Sequence, residues 1–371
     1  MRSTRISQKT PIRDCDNPMA LRKTTYCPLS KQQSILDRNG IQIEVLCGSP
    51  EGTIVEKVTT RRLGDNDVFI ETTHSGLCGT DEHFLHRDQA LGHEGVGVVK
   101  HIGSSVTSVK VGDRVGFGFI RRVCGRCDNC LSGCDNHCRG KRAYGQHDFD
   151  VGSFSHGTVW NADAVYPIPD GYDSAYAAPL LCAGASVWAC LTNNEIRPSD
   201  RVGVVGIGSL GHLAIKLAAA LGYNVVAFSG SERKREEALE FGASEFYRFP
   251  STQGRIRIKP VKHLLLCGSC DVDYASLLDL VDTNGAIYHI SVTLKPTPIP
   301  LVPFGQKGIR IQGCFITSRR NLQELLEFAA RHIIKPTIMN FPLTKDGLEE
   351  AFEKLRAGGI RYRAVLEHQA L

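Results

Sequence analysis

The chain has 371 residues, with 44 basic and 39 acidic side chains, a net charge of +5 and 42% apolar residues. One core rarely serves that length, so two domains are expected, and so slight a charge excludes the dense basic surface that nucleic-acid binding needs. The longest apolar run, Val202 to Phe228, is broken by His212, Lys216 and five glycines, which excludes a membrane span. Fourteen cysteines, five of them between Val123 and Cys138, do not resemble a disulfide framework. They predict metal-bound and free thiols in a reducing, cytoplasmic compartment.

In chain order, residues 1–40 stand apart: through Gln33 they are basic and rich in Ser and Thr, with only Asp14 and Asp16 as acids. They read as a disordered extension, the alternative being a mitochondrial targeting segment, although Pro11 and Pro18 interrupt any helix there. From Ile41 to about Val115, the runs EGTIVEKVTT, DVFIETTHSG, GVGVVKHIG and VKVGDRV predict short strands between Gly-rich turns. Near Pro179 the run LLCAGASVWACL predicts a buried helix.

Strand and helix then alternate: RVGVVGIG, SLGHLAIKLAAALG, NVVAFSG, ERKREEALEFG, KHLLLCG, the helix YASLLDLVDT, and the strands GAIYHISV and IRIQGCFI. That alternation predicts an α/β fold with a doubly wound parallel sheet. NLQELLEFAARHI, DGLEEAFEKLRAG and YRAVLEH complete the chain as two helices and a strand. The expected division is a β-rich domain over 41–186 and 318–371, with a dinucleotide-binding domain over 187–317.

The turn Gly206-Ile207-Gly208-Ser209-Leu210-Gly211 fits G-x-G-x-x-G, with a strand before it and a helix after it. Gly206 would permit the tight turn, Gly208 the close approach of a pyrophosphate, and Gly211 the packing of helix on strand. The helix N-terminus would present unpaired N–H groups to the phosphates. The next strand ends in Ser229, Gly230 and Ser231, with Lys234 close behind, where a cofactor lacking the 2′-phosphate would call for an acid. Small hydroxyls and a cation suit that phosphate, so Ser229, Ser231 and Lys234 predict NADP(H).

Two sets of metal-ligating residues stand out. Cys124, Cys127, Cys130 and Cys138 read C-x2-C-x2-C-x7-C, with Cys134 out of step. Four thiolates close a tetrahedral zinc site with no open position, which is structural. Separately, Cys78 in GLCGTDEH, His93 and Glu94 in LGHEGVG, and Cys182 in PLLCAG each sit beside glycine. A Cys2His set with a free position is the makeup of a catalytic zinc site.

These motifs, in this order and at these separations, resemble the zinc-dependent medium-chain alcohol dehydrogenases, and in particular their cinnamyl alcohol dehydrogenase-like branch, over roughly residues 41 to 367. The resemblance implies a GroES-like β-rich catalytic domain, completed by the C-terminal segment, beside a Rossmann cofactor domain. It implies two zinc ions per subunit: a catalytic one on Cys78, His93 and Cys182, with Glu94 as a transient ligand, and a structural one on Cys124, Cys127, Cys130 and Cys138, leaving Cys134 free. It assigns Thr80 and His83 to a proton relay and sets Ser186 near the nicotinamide. The implied reaction is hydride transfer between NADP(H) and a small alcohol or aldehyde, in a homodimer paired near IRIQGCF.

Two departures are visible. Only nine residues, FLHRDQALG, separate His83 from His93, where the branch has a longer loop with aromatic residues. This puts cinnamyl-type specificity in doubt and predicts a more open pocket, with Phe84, His86, Phe117 and Trp188 as candidate lining, although Phe117 and Trp188 read better as buried packing. HISVTLKP replaces a glycine-containing turn. Two competing readings are a zinc-finger-like adaptor and an inactive relative kept as a binding module. The first lacks paired CxxC halves, and the second is opposed by the intact Cys78, Thr80, His83, His93, Glu94 and Cys182.

Overall fold

The structure, a computed structural model, describes residues 40–250, 257–268, 273–292 and 296–368. The basic extension, up to residue 39, and residues 293–295 of HISVTLKP lie outside the described residues.

The first sheet grows around strand Asp67–Leu77, whose Val68 and Ile70 are fully buried. Gly95–Ile102, Gly157–Asn161 and Arg363–Glu367 all pair with it antiparallel. Arg114–Phe117 and Val165–Pro167 extend one side, and Ile338–Pro342, parallel to Arg363–Glu367, closes the other. This is a β-rich body whose last two strands come from the far end of the chain. Strand Ile338–Pro342 escaped the sequence reading; of its five residues, IMNFP, only Phe341 is buried, and they carry no clean alternation.

The second sheet is parallel throughout. Its order is Glu245–Arg248, Asn224–Ser229, Arg201–Val205, Val261–Leu266, Val281–His289, Arg310–Gly313. Numbered along the chain that order is 3-2-1-4-5-6, the doubly wound nucleotide-binding arrangement. Val202, Val204, Val225, Val226, Leu264 and Leu265 are all fully buried, as strands covered on both faces require.

Two helix expectations need correction. The run from Leu180 to Leu191 is not one helix: a 3-10 turn, Ala178–Leu181, stops at Cys182 (φ −129°, ψ −71°), and helix Ala183–Thr192 starts anew. The axis bends by 62° there, a change of direction that apolar periodicity cannot register. YASLLDLVDT is helical only over Tyr274–Leu277, and from Val281 it is strand, paired with Val261. Its leucines satisfy a helical spacing, but Leu277, Leu280 and Val281 are buried as the chain turns into the sheet.

Helix Arg319–Arg331 carries the chain back to the first sheet. Ser318 caps it by accepting from the Asn321 N–H, and Leu322, Leu325, Leu326 and Ala329 form its buried stripe. That stripe packs on helix Ala183–Thr192, with Trp188 and Phe328 rings 4.9 Å apart. Trp188 and Phe117 are therefore buried packing. Leu325→Ala should lower unfolding free energy by about 2–5 kcal/mol in urea titrations, because its fully buried side chain lies over Gly184.

Candidate metal and dinucleotide site

Cys78 ends strand Asp67–Leu77 and caps helix Gly79–Phe84, its sulfur accepting from the Thr80 N–H. Asp81 closes the reciprocal half of that cap by accepting from the Cys78 N–H at 3.0 Å. Its carboxylate is fully buried and collects three more donors: the Gly92 N–H at 3.1 Å, the Tyr144 hydroxyl at 2.8 Å and His93 Nδ1 at 3.0 Å. A carboxylate only accepts, so His93 Nδ1 carries a proton toward Asp81, and Nε2 faces Cys182 Sγ, 3.3 Å away. Tyr144 stacks on the His93 ring at 4.6 Å, and Phe119 meets it edge-on at 5.8 Å.

Ligand atoms of Cys78, His93, Glu94 and Cys182 all lie within 4.8 Å of one another. Burial lowers the His93 pKa, but Asp81 and Cys78 outweigh it and push the imidazole well above its ordinary value. The Cys78 thiol is held well below its ordinary value by its hydrogen bond with Cys182, against burial, and by His93. Burial raises Glu94 to about 7 despite the Arg363 guanidinium beside it. Gly76 makes room for this glutamate, since a Cβ there would lie 2.0 Å from Oε2.

Arg363 is the residue that sequence reasoning missed most completely. It is 2% exposed, ion-paired with Glu94 and hydrogen-bonded through Nη1 to the Ser209 hydroxyl of the Gly-rich turn. One guanidinium thus joins the metal-ligating cluster to the turn. Asp81 and Tyr144 were also missed as partners of His93. The spacing of Cys78 and Asp81 is that of a capping box and could have flagged the aspartate, whereas nothing local marks Tyr144 or Arg363.

Donor chemistry and spacing both fit zinc. Tetrahedral zinc separates a sulfur and an imidazole nitrogen by about 3.5 Å and two sulfurs by about 3.8 Å, given its usual bond lengths. The His93–Cys182 separation is 3.3 Å. In the second cluster, Cys124, Cys127, Cys130 and Cys138 have sulfur separations of 3.9 Å (124–130) and 3.6 Å (127–130), and all four lie within 4.8 Å. Backbone N–H groups of Arg139 and Cys130 hold the Cys127 thiol down at about 6. Cys134 is exposed and outside this group.

Thr80 lies beside the first cluster, its Oγ1 3.6 Å from Cys78 Sγ. His83 is exposed at the end of the same helix, and among the described residues no direct hydrogen bond joins it to Thr80. Ser186 is buried one turn beyond Cys182, to whose carbonyl its N–H donates at 2.9 Å.

The glycine turn fits a dinucleotide position by position. Gly206 has φ +90°, and a Cβ on it would meet Gly268 at 2.7 Å. A Cβ on Gly208 would meet nothing within 4 Å, which leaves space for a ligand. A Cβ on Gly211 would strike the Gly206 carbonyl at 1.9 Å, so the helix packs at glycine distance. Helix Gly211–Ala220 starts after Leu210 with no side-chain cap, and the His212 N–H donates to the Gly208 carbonyl at 3.1 Å. Ser229, Ser231 and Lys234 gather at the end of strand Asn224–Ser229: the Ser231 N–H donates to Ser229 Oγ at 3.2 Å, and Lys234 Nζ donates to the Ile207 carbonyl at 2.6 Å.

Asp81→Asn replaces an acceptor-only group facing four donors. It should lower zinc affinity about 10–100-fold, the usual effect of losing a carboxylate behind a ligating histidine. Competition with a chromophoric chelator measures this without reference to turnover.

Two family models match the chain: one described as an alcohol dehydrogenase GroES-like domain over residues 64–170, and one described as a zinc-binding dehydrogenase over 209–331. The chain is 33% identical over 329 residues to an NADP-dependent alcohol dehydrogenase C of Mycolicibacterium smegmatis, covering 85% of this chain and 94% of that one. It is 32% identical over 325 residues to cinnamyl alcohol dehydrogenase 8 of Arabidopsis thaliana, covering 83% and 90%. Among solved structures, a cinnamyl alcohol dehydrogenase of Sorghum bicolor superposes with a TM-score of 0.82 at 29% identity, covering 88% of this chain and 97% of that one. With the fold, the cysteine and histidine cluster and the glycine turn all in agreement, the chain belongs to the zinc-binding, medium-chain alcohol dehydrogenase family of oxidoreductases.

Proposed function

We propose that the chain is an NADP(H)-dependent zinc alcohol dehydrogenase that works mainly as an aldehyde reductase. The observation that carries this reading is the convergence of Cys78, His93, Glu94 and Cys182 within 4.8 Å, joined through Arg363 to Ser209 of the glycine turn. The relatives support it: the Mycolicibacterium enzyme is named NADP-dependent, and a Helicobacter pylori cinnamyl alcohol dehydrogenase of 25% identity was solved with NADP(H).

Cys78, His93 and Cys182, with Glu94 alongside, would hold a zinc ion that supplies Lewis acidity toward the alcohol or carbonyl oxygen. The glycine turn, with Ser229, Ser231 and Lys234, would hold NADP(H), which supplies the hydride at nicotinamide C4. Asp81 keeps the His93 proton on Nδ1, leaving Nε2 for the metal side. Thr80 Oγ1 would accept a hydrogen bond from the substrate hydroxyl, and His83, which is exposed, would exchange the proton with water. Ser186 borders the nicotinamide. Phe119, with Phe315 edge-on at 5.0 Å, gives the approach to His93 an apolar wall suited to an aromatic or aliphatic aldehyde. The shortened 84–92 connection is the ground for expecting a more open pocket.

Residues 41–186 and 318–371 then form the catalytic domain, and 187–317 the cofactor domain of a cytoplasmic enzyme. We assign a homodimer through strand Arg310–Gly313, an edge of its sheet among the described residues with Ile311 38% exposed; Leu301 and Val302, in the helix that precedes it in the chain, are 77% and 71% exposed.

With zinc-loaded protein, NADPH should be consumed on a panel of aromatic and aliphatic aldehydes; no turnover across the panel would sink the assignment. Cys182→Ser should lower kcat/KM by more than about a hundredfold, beyond what losing an outer hydrogen-bond partner does. Ser229→Asp should shift preference from NADPH toward NADH, because a carboxylate there repels the 2′-phosphate and accepts from a ribose hydroxyl. For the dimer, Ile311→Lys should halve the mass measured by light scattering, and an unchanged mass would remove this edge from the interface.

A further inference from the structure

Helix Gly211–Ala220 buries one histidine among apolar neighbours. His212 is fully buried, and the other buried members of the helix are Gly211 and aliphatic residues from Leu213 to Ala218. Its ring stacks on Tyr362 at 5.0 Å and meets Phe241 edge-on at 6.1 Å. A phenyl ring would fill that place with no polar atom to satisfy. The imidazole brings two nitrogens, and only one finds a partner. Nδ1 lies 3.0 Å from the Gly208 carbonyl oxygen, whereas Nε2 is buried with no hydrogen-bond partner among the described residues. A carbonyl only accepts, so Nδ1 is the donor. Burial pushes the imidazole pKa down to about 3, so the ring is neutral and Nε2 holds the lone pair. An unpaired buried nitrogen destabilises a fold, and a residue that carries one needs a reason other than packing.

That reason lies in what Nδ1 holds. Gly208 faces open space where a side chain would stand, and a glycine backbone turns freely. The peptide between Gly208 and Ser209 is fixed all the same, because its carbonyl accepts from both the His212 N–H, at 3.1 Å, and Nδ1. The N–H of a trans peptide points opposite to its carbonyl. With this carbonyl directed along the helix toward His212, the Ser209 N–H points back out of the helix N-terminus, the direction from which an anion approaches. The preceding peptide is held in a similar way by Lys234, whose Nζ donates to the Ile207 carbonyl at 2.6 Å. A Gly208 carbonyl free to rotate outward would set partial negative charge against a phosphate and withdraw a donor from it.

Resting on the reading of this turn as an NADP(H) site, we propose that His212 is a positioning residue for the cofactor pyrophosphate: by holding the Gly208 carbonyl, its Nδ1–H keeps the Ser209 N–H aimed at the phosphates. It acts through the peptide that it holds, from within the packing of the helix.

Two substitutions separate donation from packing. His212→Phe keeps a ring against Tyr362 and loses the donor. His212→Asn loses the ring and keeps an N–H donor, since its Nδ2 is bonded to Cγ just as Nδ1 is. Zinc-loaded, full-length wild type and both variants are titrated by calorimetry with NADPH and with 2′-AMP, which has the adenosine and the 2′-phosphate but no pyrophosphate. His212→Phe should raise the NADPH Kd about tenfold, the worth of one hydrogen bond. His212→Asn should stay within about threefold of wild type, and 2′-AMP should bind all three proteins alike. If His212→Phe binds NADPH as wild type does, or His212→Asn binds it more weakly than His212→Phe, the histidine serves packing alone and the proposal is overturned. Equal weakening of NADPH and 2′-AMP overturns it too, because the loss would not lie at the pyrophosphate. If wild type binds NADH and not NADPH, the choice of NADP(H) falls, and the same comparison run with NADH and adenosine decides the role of His212. Wild type that binds neither dinucleotide overturns both readings.

Discussion

A buried ion pair within the first sheet's half of this protein also holds the glycine turn of the other half. Glu94 is fully inside, Arg363 nearly so, and each is the other's principal counter-ion. Deleting one member of such a pair typically costs about 3–5 kcal/mol, because the other charge is left buried without compensation. The pair therefore constrains its surroundings. Strand Gly95–Ile102 must start where Glu94 can turn inward, and strand Arg363–Glu367 must lie where its first side chain can meet that carboxylate. Gly76 must lack a side chain so that both fit. Because Arg363 also reaches Ser209, the same constraint draws the glycine turn against the first sheet.

Asp81 plays a similar part at shorter range. One buried carboxylate gathers four donors from three different segments: the Cys78 N–H, the Gly92 N–H and neighbouring His93 Nδ1, and the Tyr144 hydroxyl. A charge so well satisfied has little freedom, and neither do its partners. The orientation of His93 follows from that restriction, as does the direction in which Nε2 points. Orientation by an outer carboxylate is a general device of ligating histidines. Here it is reinforced by the Tyr144 ring stacked on the imidazole.

How much of this could be read from the chain depends on the distance over which each feature is decided. The glycine turn was legible because Gly206 and Gly211 each meet a local steric demand that only glycine satisfies, Gly208 between them leaves open space, and the pattern is contiguous. The parallel sheet was legible because its central strands are buried on both faces and read as apolar runs. Cys78, His93 and Cys182 could be grouped only through resemblance to a family, since over a hundred positions of chain lie between the first and the last. Arg363 was invisible: in RYRAVLEH it looks like one of two solvent-facing arginines, and only the third dimension brings Glu94 to it. The helix across Cys182 failed for a related reason. Leu180 to Leu191 is uniformly apolar, so its composition cannot report a bend that tertiary packing imposes and that turns the cysteine toward the cluster.

The pairing of strand Arg363–Glu367 with Asp67–Leu77 also bears on how the molecule is made. The parallel sheet draws all its strands from Arg201 to Gly313, so it can assemble on the ribosome as soon as that stretch has emerged. The first sheet cannot close until the last strand arrives, almost three hundred residues after its central partner was synthesised. Until then, the edge of Asp67–Leu77 that this strand covers is exposed, with its backbone N–H and C=O groups unpaired, and such edges invite wrong pairing. The half that holds the Cys78, His93, Glu94 and Cys182 cluster is therefore begun first and finished last. A ribosome that stalls before residue 363 would release a cofactor domain already folded, joined to an incomplete sheet that lacks the arginine needed to neutralise Glu94.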